Sequence, residues 1–248
     1  MNSVGVIGLG LIGASLARRL LAAGYTVHGH DISTERNTNL ASIGGIACTS
    51  AAEVTRACEM VVIAVFNTEQ VESLFEGSKP AGFTSQHLVI CTSTCDPDRI
   101  EALARRVTMN NGARFLECPL SGNSDQIAKG NGIALAGGQR ADFDAAQPVL
   151  NALCKQSHFL GPAGSGGRAK LAVNLVGGLN RAVLGEGLAF AESMGLELKA
   201  FLEVLKTSAA YNRAMDTRGL KMVERDFTPH AWLKQSLKDF SLMHEVAA

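Results

Sequence analysis

The 248-residue chain has no excess of charge of either sign, because 23 Lys and Arg are matched by 23 Asp and Glu. It holds no Lys/Arg run either, so nothing in it builds the basic surface that a nucleic acid or an anionic membrane requires. No apolar stretch is long and uninterrupted enough to read as a membrane-spanning helix. Cysteines stand at 48, 58, 91, 95, 118 and 154, but none forms a CxxC pair and their spacing supplies no four-ligand zinc set. They read as reduced structural thiols of a cytoplasmic protein that needs no metal. Internal repeats, low-complexity tracts and flexible linkers are also missing. With 46% hydrophobic residues, the chain can bury one large core or two smaller ones. The expected partners are small molecules and other protein chains.

What is present begins with "VGVIGLGLIGASLARRLLAAGYTVHGHD", from Val4 to Asp31. An apolar, Gly-rich start suits a secretory leader as well as a nucleotide turn. A leader carries basic residues ahead of its apolar stretch, whereas here Arg18 and Arg19 follow it and glycines interrupt it. The nucleotide reading is therefore preferred. A β-run from Val4 to Gly8 leads through the glycines into a helix with Ile12, Leu16 and Leu20 on one face, stopped by Gly24. Gly8 permits the tight turn, Gly10 lets the backbone approach a pyrophosphate, and Gly13 lets the helix pack on the strand. Asp31, at the end of the next strand, would accept hydrogen bonds from ribose hydroxyls and repel a 2′-phosphate, which points to NAD. It also suits the cap of a helix starting near Ser33, and the nearby Arg36 keeps NADP open.

Further apolar runs follow: "MVVIAV" at 60–65, "HLVICTS" at 87–93 and "RFLECPL" at 114–120, with room between them for crossover helices. Runs rather than alternation indicate strands covered on both faces, as in a parallel sheet. "GIALAGG" at 132–138 and "SHFLGPAG" at 157–164 extend the strand-rich part, with a helix in "ADFDAAQPVLNALC" between them. The fold expected is α/β, a Rossmann-type, doubly wound and mostly parallel sheet over residues 1–162. From Arg168 to Met194 no proline occurs and apolar residues fall at helical spacing, so one long helix should connect to a smaller all-helical domain over 163–248. Its glycines, Gly177, Gly178, Gly185 and Gly187, suggest close approach by another helix or by the cofactor-bearing domain.

In "GPAGSGGRAKLAVNLVGG", Lys170 and Asn174 share a helix face just after a Gly-rich entry that lets something approach closely. A lysine there would protonate a carbonyl oxygen during hydride delivery, or take the proton from an alcohol in reverse. Burial beside a cationic nicotinamide would lower its pKa toward that task. A helix lysine taken alone is more often a solvated surface charge.

The blocks "GLGLIGASLARRLLAAG", "STCDP", "CPLSGN", "GSGGRAKLAVN" and "LKDFSLM", in this order along essentially the whole chain, resemble the β-hydroxyacid dehydrogenase family. The resemblance implies an oxidoreductase that moves hydride between a nicotinamide cofactor and a small hydroxy acid of the 3-hydroxyisobutyrate, tartronate semialdehyde or threonate type. It matches Lys170 to the family's catalytic lysine and Asn174 to the substrate-holding amide. Ser121 and Gly122 match the turn that binds the substrate carboxylate, and Asn123 stands third in that turn, where Ser-Gly-Gly is usual. Thr94 matches a threonine near the nicotinamide, and Lys238, followed by Asp239, a lysine that closes over the cofactor. The cofactor set is then Gly8, Gly10, Leu11, Ile12, Gly13, Asp31, Val65, Thr94 and Lys238. Locally, Ser121 also suits a helix cap and Lys238–Asp239 a solvated pair. Imine-reducing relatives change the lysine position, so Lys170 argues for a hydroxy acid.

Two departures from the family pattern carry weight. The Asn123 amide would favour a substrate with an extra hydroxyl, such as a sugar acid, and the family's aromatic near "DFTPHAW" is displaced, with Trp232 after Ala231. The chain also ends soon after "KDFSLM", before the closing helices of relatives, so either it is a shortened form or a homodimer or homotetramer completes the helical core. The alternative to an enzyme is a catalytically silent cofactor-binding protein with an incomplete helical domain.

Overall fold

The computed structural model describes residues 3–122, 124–228 and 233–247, with side chains described for all of these except 233–235. It divides into two compact units, Met1–Leu171 with His244–Ala248, and Ala172–Met243.

In the first unit, strands β1 (Ser3–Ile7), β2 (Thr26–His30), β3 (Ile46–Ala47), β4 (Met60–Ile63), β5 (Leu88–Cys91) and β6 (Arg114–Glu117) form one sheet in the order β3-β2-β1-β4-β5-β6. Every pairing in it is parallel. The crossovers are α1 (Leu11–Ala22), α2 (Thr34–Ser42), α3 (Ala51–Ala57), α4 (Thr68–Glu76) and α5 (Pro97–Asn111). Successive side chains of a strand go to opposite faces, and both faces are filled here. Val62 and Ile90 join a core with Leu16, Leu20 and Leu150, while Val61, Ile63 and Val89 join one with Ile100 and Leu103. That is why these strands read as unbroken apolar runs. Burying a side chain of this size stabilises by about 2 kcal/mol, so the double layer is the main source of the unit's cohesion.

The apolar run at 114–120 is two strands rather than one. The main ladder ends where the Cys118 N–H donates to the Cys91 carbonyl at 2.7 Å, and Pro119 has no N–H to continue it. The chain then enters a second sheet as β7 (Leu120–Ser121), followed by α6 (Ser124–Ala128), β8 (Ile133–Ala136), α7 (Arg140–Leu153) and β9 (Gln156–Phe159). Its order is β7-β8-β9, with β7 antiparallel and β9 parallel to β8. The two later strands of the strand-rich part therefore belong to this smaller sheet.

Helix α8 (Ser165–Ser193) runs from the first unit into the second. It stops at Gly195, whose φ of +78° suits the turn in which the Leu196 N–H reaches back to the Ala191 carbonyl at 3.1 Å. The second unit continues with α9 (Leu198–Thr207), a π-helical turn at Met215–Gly219, α10 (Leu220–Val223) and α11 (Leu233–Ala247). Its core is small: Leu184, Leu188, Leu202 and Met215, with Phe201, Leu205 and Met222 against them. The close approach expected at the α8 glycines holds at Gly178, where a β-carbon would stand 2.6 Å from Phe240 of α11. It does not hold at the other three: among the described residues a β-carbon on Gly185 or Gly187 meets nothing within 4 Å, and one on Gly177 meets the tip of Arg181 at 3.9 Å.

Candidate active site

The glycine turn lies at the carboxyl end of β1. Gly8 has φ of +90°, and a β-carbon there would stand 2.6 Å from the Ala64 carbonyl oxygen. One on Gly13 would overlap the Gly8 carbonyl oxygen, so α1 touches the strand through that position. Gly10 differs, since a β-carbon there meets only Arg36 Nη1 at 4.0 Å. Gly10 is also the N-cap of α1, with no side-chain cap and no acid in the first turn. An uncapped helix start beneath an open glycine fits a dinucleotide pyrophosphate. Leu11 is exposed beside it, Ile12 half-buried, and Val65 half-buried beyond the end of β4.

Asp31 is buried at the end of β2. Its Oδ2 accepts from the Leu9 N–H at 2.7 Å and its Oδ1 from the Ser33 N–H at 2.9 Å, so it binds the glycine turn to the start of α2. The N-cap of α2 is Ser33, whose own side chain makes no cap bond. Arg36 Nη1 lies 3.3 Å from Asp31 Oδ2 and is half exposed. The edge that would meet an adenosine ribose thus holds both an acceptor for its hydroxyls and a guanidinium for a 2′-phosphate.

Along the same carboxyl edge of the sheet, beyond β5, Thr92 and Ser93 donate to the carbonyls of Ile63 and Val65 at 2.8 and 2.7 Å, fixing the loop that carries the half-buried Thr94. Ser121 is half-buried in β7, opposite Ile133, and Gly122 is exposed with φ of +140°. Asn123, Ala231 and Trp232 lie outside the described residues. Lys170 is buried on the second turn of α8, only 7% exposed, unlike a solvated surface lysine.

Sequence reasoning missed Glu117, at the end of β6. It is 2% exposed, and its Oε2 accepts from the Gly164 N–H at 2.8 Å. The Gly167 and Gly166 N–H groups also donate to this carboxyl, yet burial outweighs them and pushes its pKa up to about 7. The Gly-rich entry to α8, which the sequence marks as letting something approach closely, is where this carboxyl approaches. The available signal was an acid inside an otherwise apolar strand run.

In the second unit, Asn174 Nδ2 donates to Asp239 Oδ2 at 2.8 Å, which leaves the Asn174 carbonyl oxygen free of that bond. Lys238 Nζ stands 3.3 Å from Asp239 Oδ1, with both side chains largely buried. Lys238–Asp239 is accordingly not a solvated pair. Among the described residues no group of three His, Cys, Asp or Glu is placed to hold a metal ion.

A family model for the NAD binding domain of 6-phosphogluconate dehydrogenase matches residues 3–161, and one for the NAD-binding part of NADP-dependent 3-hydroxyisobutyrate dehydrogenase matches 164–248. The chain belongs to the β-hydroxyacid dehydrogenase family. Its relatives include an L-threonate dehydrogenase of Cupriavidus necator, 31% identical over 99% of this chain and 84% of that protein. The crystal structure of a 3-hydroxyisobutyrate dehydrogenase from Salmonella typhimurium is 28% identical, with a TM-score of 0.85 over 100% of this chain and 87% of that one. The cytokine-like nuclear factor N-PAC of Pongo abelii is 30% identical over 97% of this chain, which spans only 44% of that longer protein. The family is one of NAD(P)-dependent dehydrogenases acting on CH–OH groups, and nicotinamide dinucleotide is its cofactor.

Proposed function

We propose that this chain interconverts the hydroxyl and carbonyl of a small hydroxy acid of the 3-hydroxyisobutyrate, tartronate semialdehyde or threonate type, with Lys170 as general acid and base. The nicotinamide, when bound, supplies the hydride chemistry. Ser121 and the Gly122 N–H hold the substrate carboxylate, Asn123 reads a further hydroxyl, and Asn174 orients the reacting end with the oxygen that its bond to Asp239 leaves available. Lys170 takes the hydroxyl proton on oxidation and returns it on reduction. Residues 1–162 carry the cofactor, with NAD preferred through Asp31, and residues 163–248 supply Asn174 and Lys238. The protein works in the cytoplasm as a homodimer or homotetramer.

The observation that carries this reading is the burial of Lys170, which removes the ordinary explanation of a helix lysine as a solvated charge. The test is reduction of NAD and of NADP by the purified chain with 3-hydroxyisobutyrate, glycerate and L-threonate, with Lys170→Ala alongside. Turnover of one acid is expected, falling by about 10²–10⁴-fold in the variant with cofactor affinity retained. A fully active variant removes the lysine from the mechanism. Cofactor binding without turnover of any acid would favour a binding role instead.

A further inference from the structure

Glu117 is costly where it stands, because a carboxylate loses its hydration there and a neutral cap would serve a helix end more cheaply. Its surroundings are built around it. A β-carbon on Gly137 would lie 2.9 Å from Oε2, one on Gly166 3.2 Å from Oε2, and one on Gly167 2.5 Å from Oε1. Glycine at these positions is what admits the carboxyl to the first turn of α8, where N–H groups and the helix dipole favour negative charge.

The same residue joins three parts of the first unit. Its backbone N–H donates to the Gly137 carbonyl at 2.9 Å and its carbonyl accepts from the Gly137 N–H at 2.8 Å, tying the main sheet to the end of β8. Its side chain holds the start of α8. Its chain continues through Pro119, whose carbonyl accepts from the Leu135 N–H at 3.0 Å, into the strand that carries Ser121.

We propose that Glu117 is the positioning residue of the reaction: by gripping the first turn of α8 it sets where Lys170 stands relative to the turn at Ser121 and Gly122. The inference rests on the reading of Lys170 as general acid and base. A helix is stiff over one or two turns, so an error at Gly164–Gly167 is passed on to Lys170. Displacements of about 1 Å at a reacting group cost about 10²-fold in rate.

The charged and titratable groups around Glu117 include Cys91 of β5, its neighbour Cys118, and Arg168 of α8. The Cys91 thiol is held neutral by its bond with Cys95 and by burial, and Cys118 by burial. Arg168 is engaged by Asp98 and Glu101 at 2.5 and 2.9 Å. Glu117 itself, with its pKa pushed up to about 7, changes charge near neutral pH, and on protonation it keeps fewer acceptors for the three N–H groups.

The experiment compares wild type, Glu117→Gln, Glu117→Asp and Lys170→Ala. It reads kcat and KM for L-threonate and 3-hydroxyisobutyrate with NAD, cofactor affinity, amide exchange over 164–168, and the acetylation rate of Lys170 by trace acetic anhydride, resolved by peptide mass spectrometry. Gln matches the size of Glu but presents an NH₂ to N–H donors. It should lower kcat about 30-fold with KM and cofactor affinity within about threefold. It should also speed exchange over 164–168 and change Lys170 acetylation at least about fivefold while exposed Lys79 and Lys155 stay unchanged. Glu117→Asp should recover part of the rate. Gln with wild-type kcat and Lys170 labelling, while Lys170→Ala is dead, overturns the positioning role and leaves the lysine in place. An active Lys170→Ala overturns the reading of the lysine, and Lys170 labelling in Glu117→Gln then decides whether Glu117 positions it. If Gln does not fold, or neither acid turns over, Lys170 labelling in Glu117→Asp decides: a wild-type rate overturns the proposal and a shifted one supports it.

Discussion

Asp31 shows one side chain serving structure and ligand together. Its carboxylate is engaged by the Leu9 and Ser33 N–H groups and stands beside Arg36. Removing its charge should release the guanidinium for a 2′-phosphate and weaken the hold on the ribose. Asp31→Asn is expected to raise the ratio of NADP to NAD affinity roughly tenfold, equivalent to about 1.4 kcal/mol, as read by titration calorimetry with both cofactors. An unchanged ratio would leave Asp31 a purely structural residue. Asp31 was legible in the sequence because local spacing from the glycines puts it at a strand end. Glu117 was not, because its partners at Gly137 and Gly164–Gly167 are distant along the chain, and a strand-like run gives no hint that one acid within it meets a helix start.

At the scale of elements, contact between α1 and β1 depends on Gly13, whose β-carbon would overlap the Gly8 carbonyl oxygen and stand 3.3 Å from Ala64 Cβ. Backbone cannot yield as a flexible side chain does. Gly13→Ala should therefore destabilise the first unit by about 3 kcal/mol, seen as a lower urea midpoint with cofactor binding lost in parallel. A midpoint equal to wild type would mean that α1 shifts freely. The first strands and α1 were legible because apolar run, glycine turn and amphipathic helix are local patterns. The boundary between β6 and β7 was not, since an apolar run looks the same whether it stays in one sheet or passes into another. Pro119 was the local mark of that break.

For the whole molecule, the second unit has, among its described residues, a core of a few large side chains, while α8 exposes Val176, Leu179, Val183 and Phe190 at 54–66%. An apolar helix face of this extent is a candidate for a second copy of the chain. Light scattering at micromolar concentration should give two or four times the chain mass, and Val183→Asp should lower it to one. A monomeric wild type would leave the face to some other role. No described helix is long and apolar enough to cross a membrane.

The sequence by itself determined the Rossmann-type order of elements, the glycine turn, Asp31 at its strand end and the long helix, because each rests on spacing within a few tens of residues. Only the tertiary structure decided that β7, β8 and β9 form a sheet of their own, that of Gly177, Gly178, Gly185 and Gly187 it is Gly178 that a described side chain closely approaches, and that the glycines before Lys170 enclose Glu117. Those facts depend on which distant segments are brought within a few ångströms of one another. A linear pattern records that a residue is small or acidic, but the neighbour that makes this necessary is supplied by the fold.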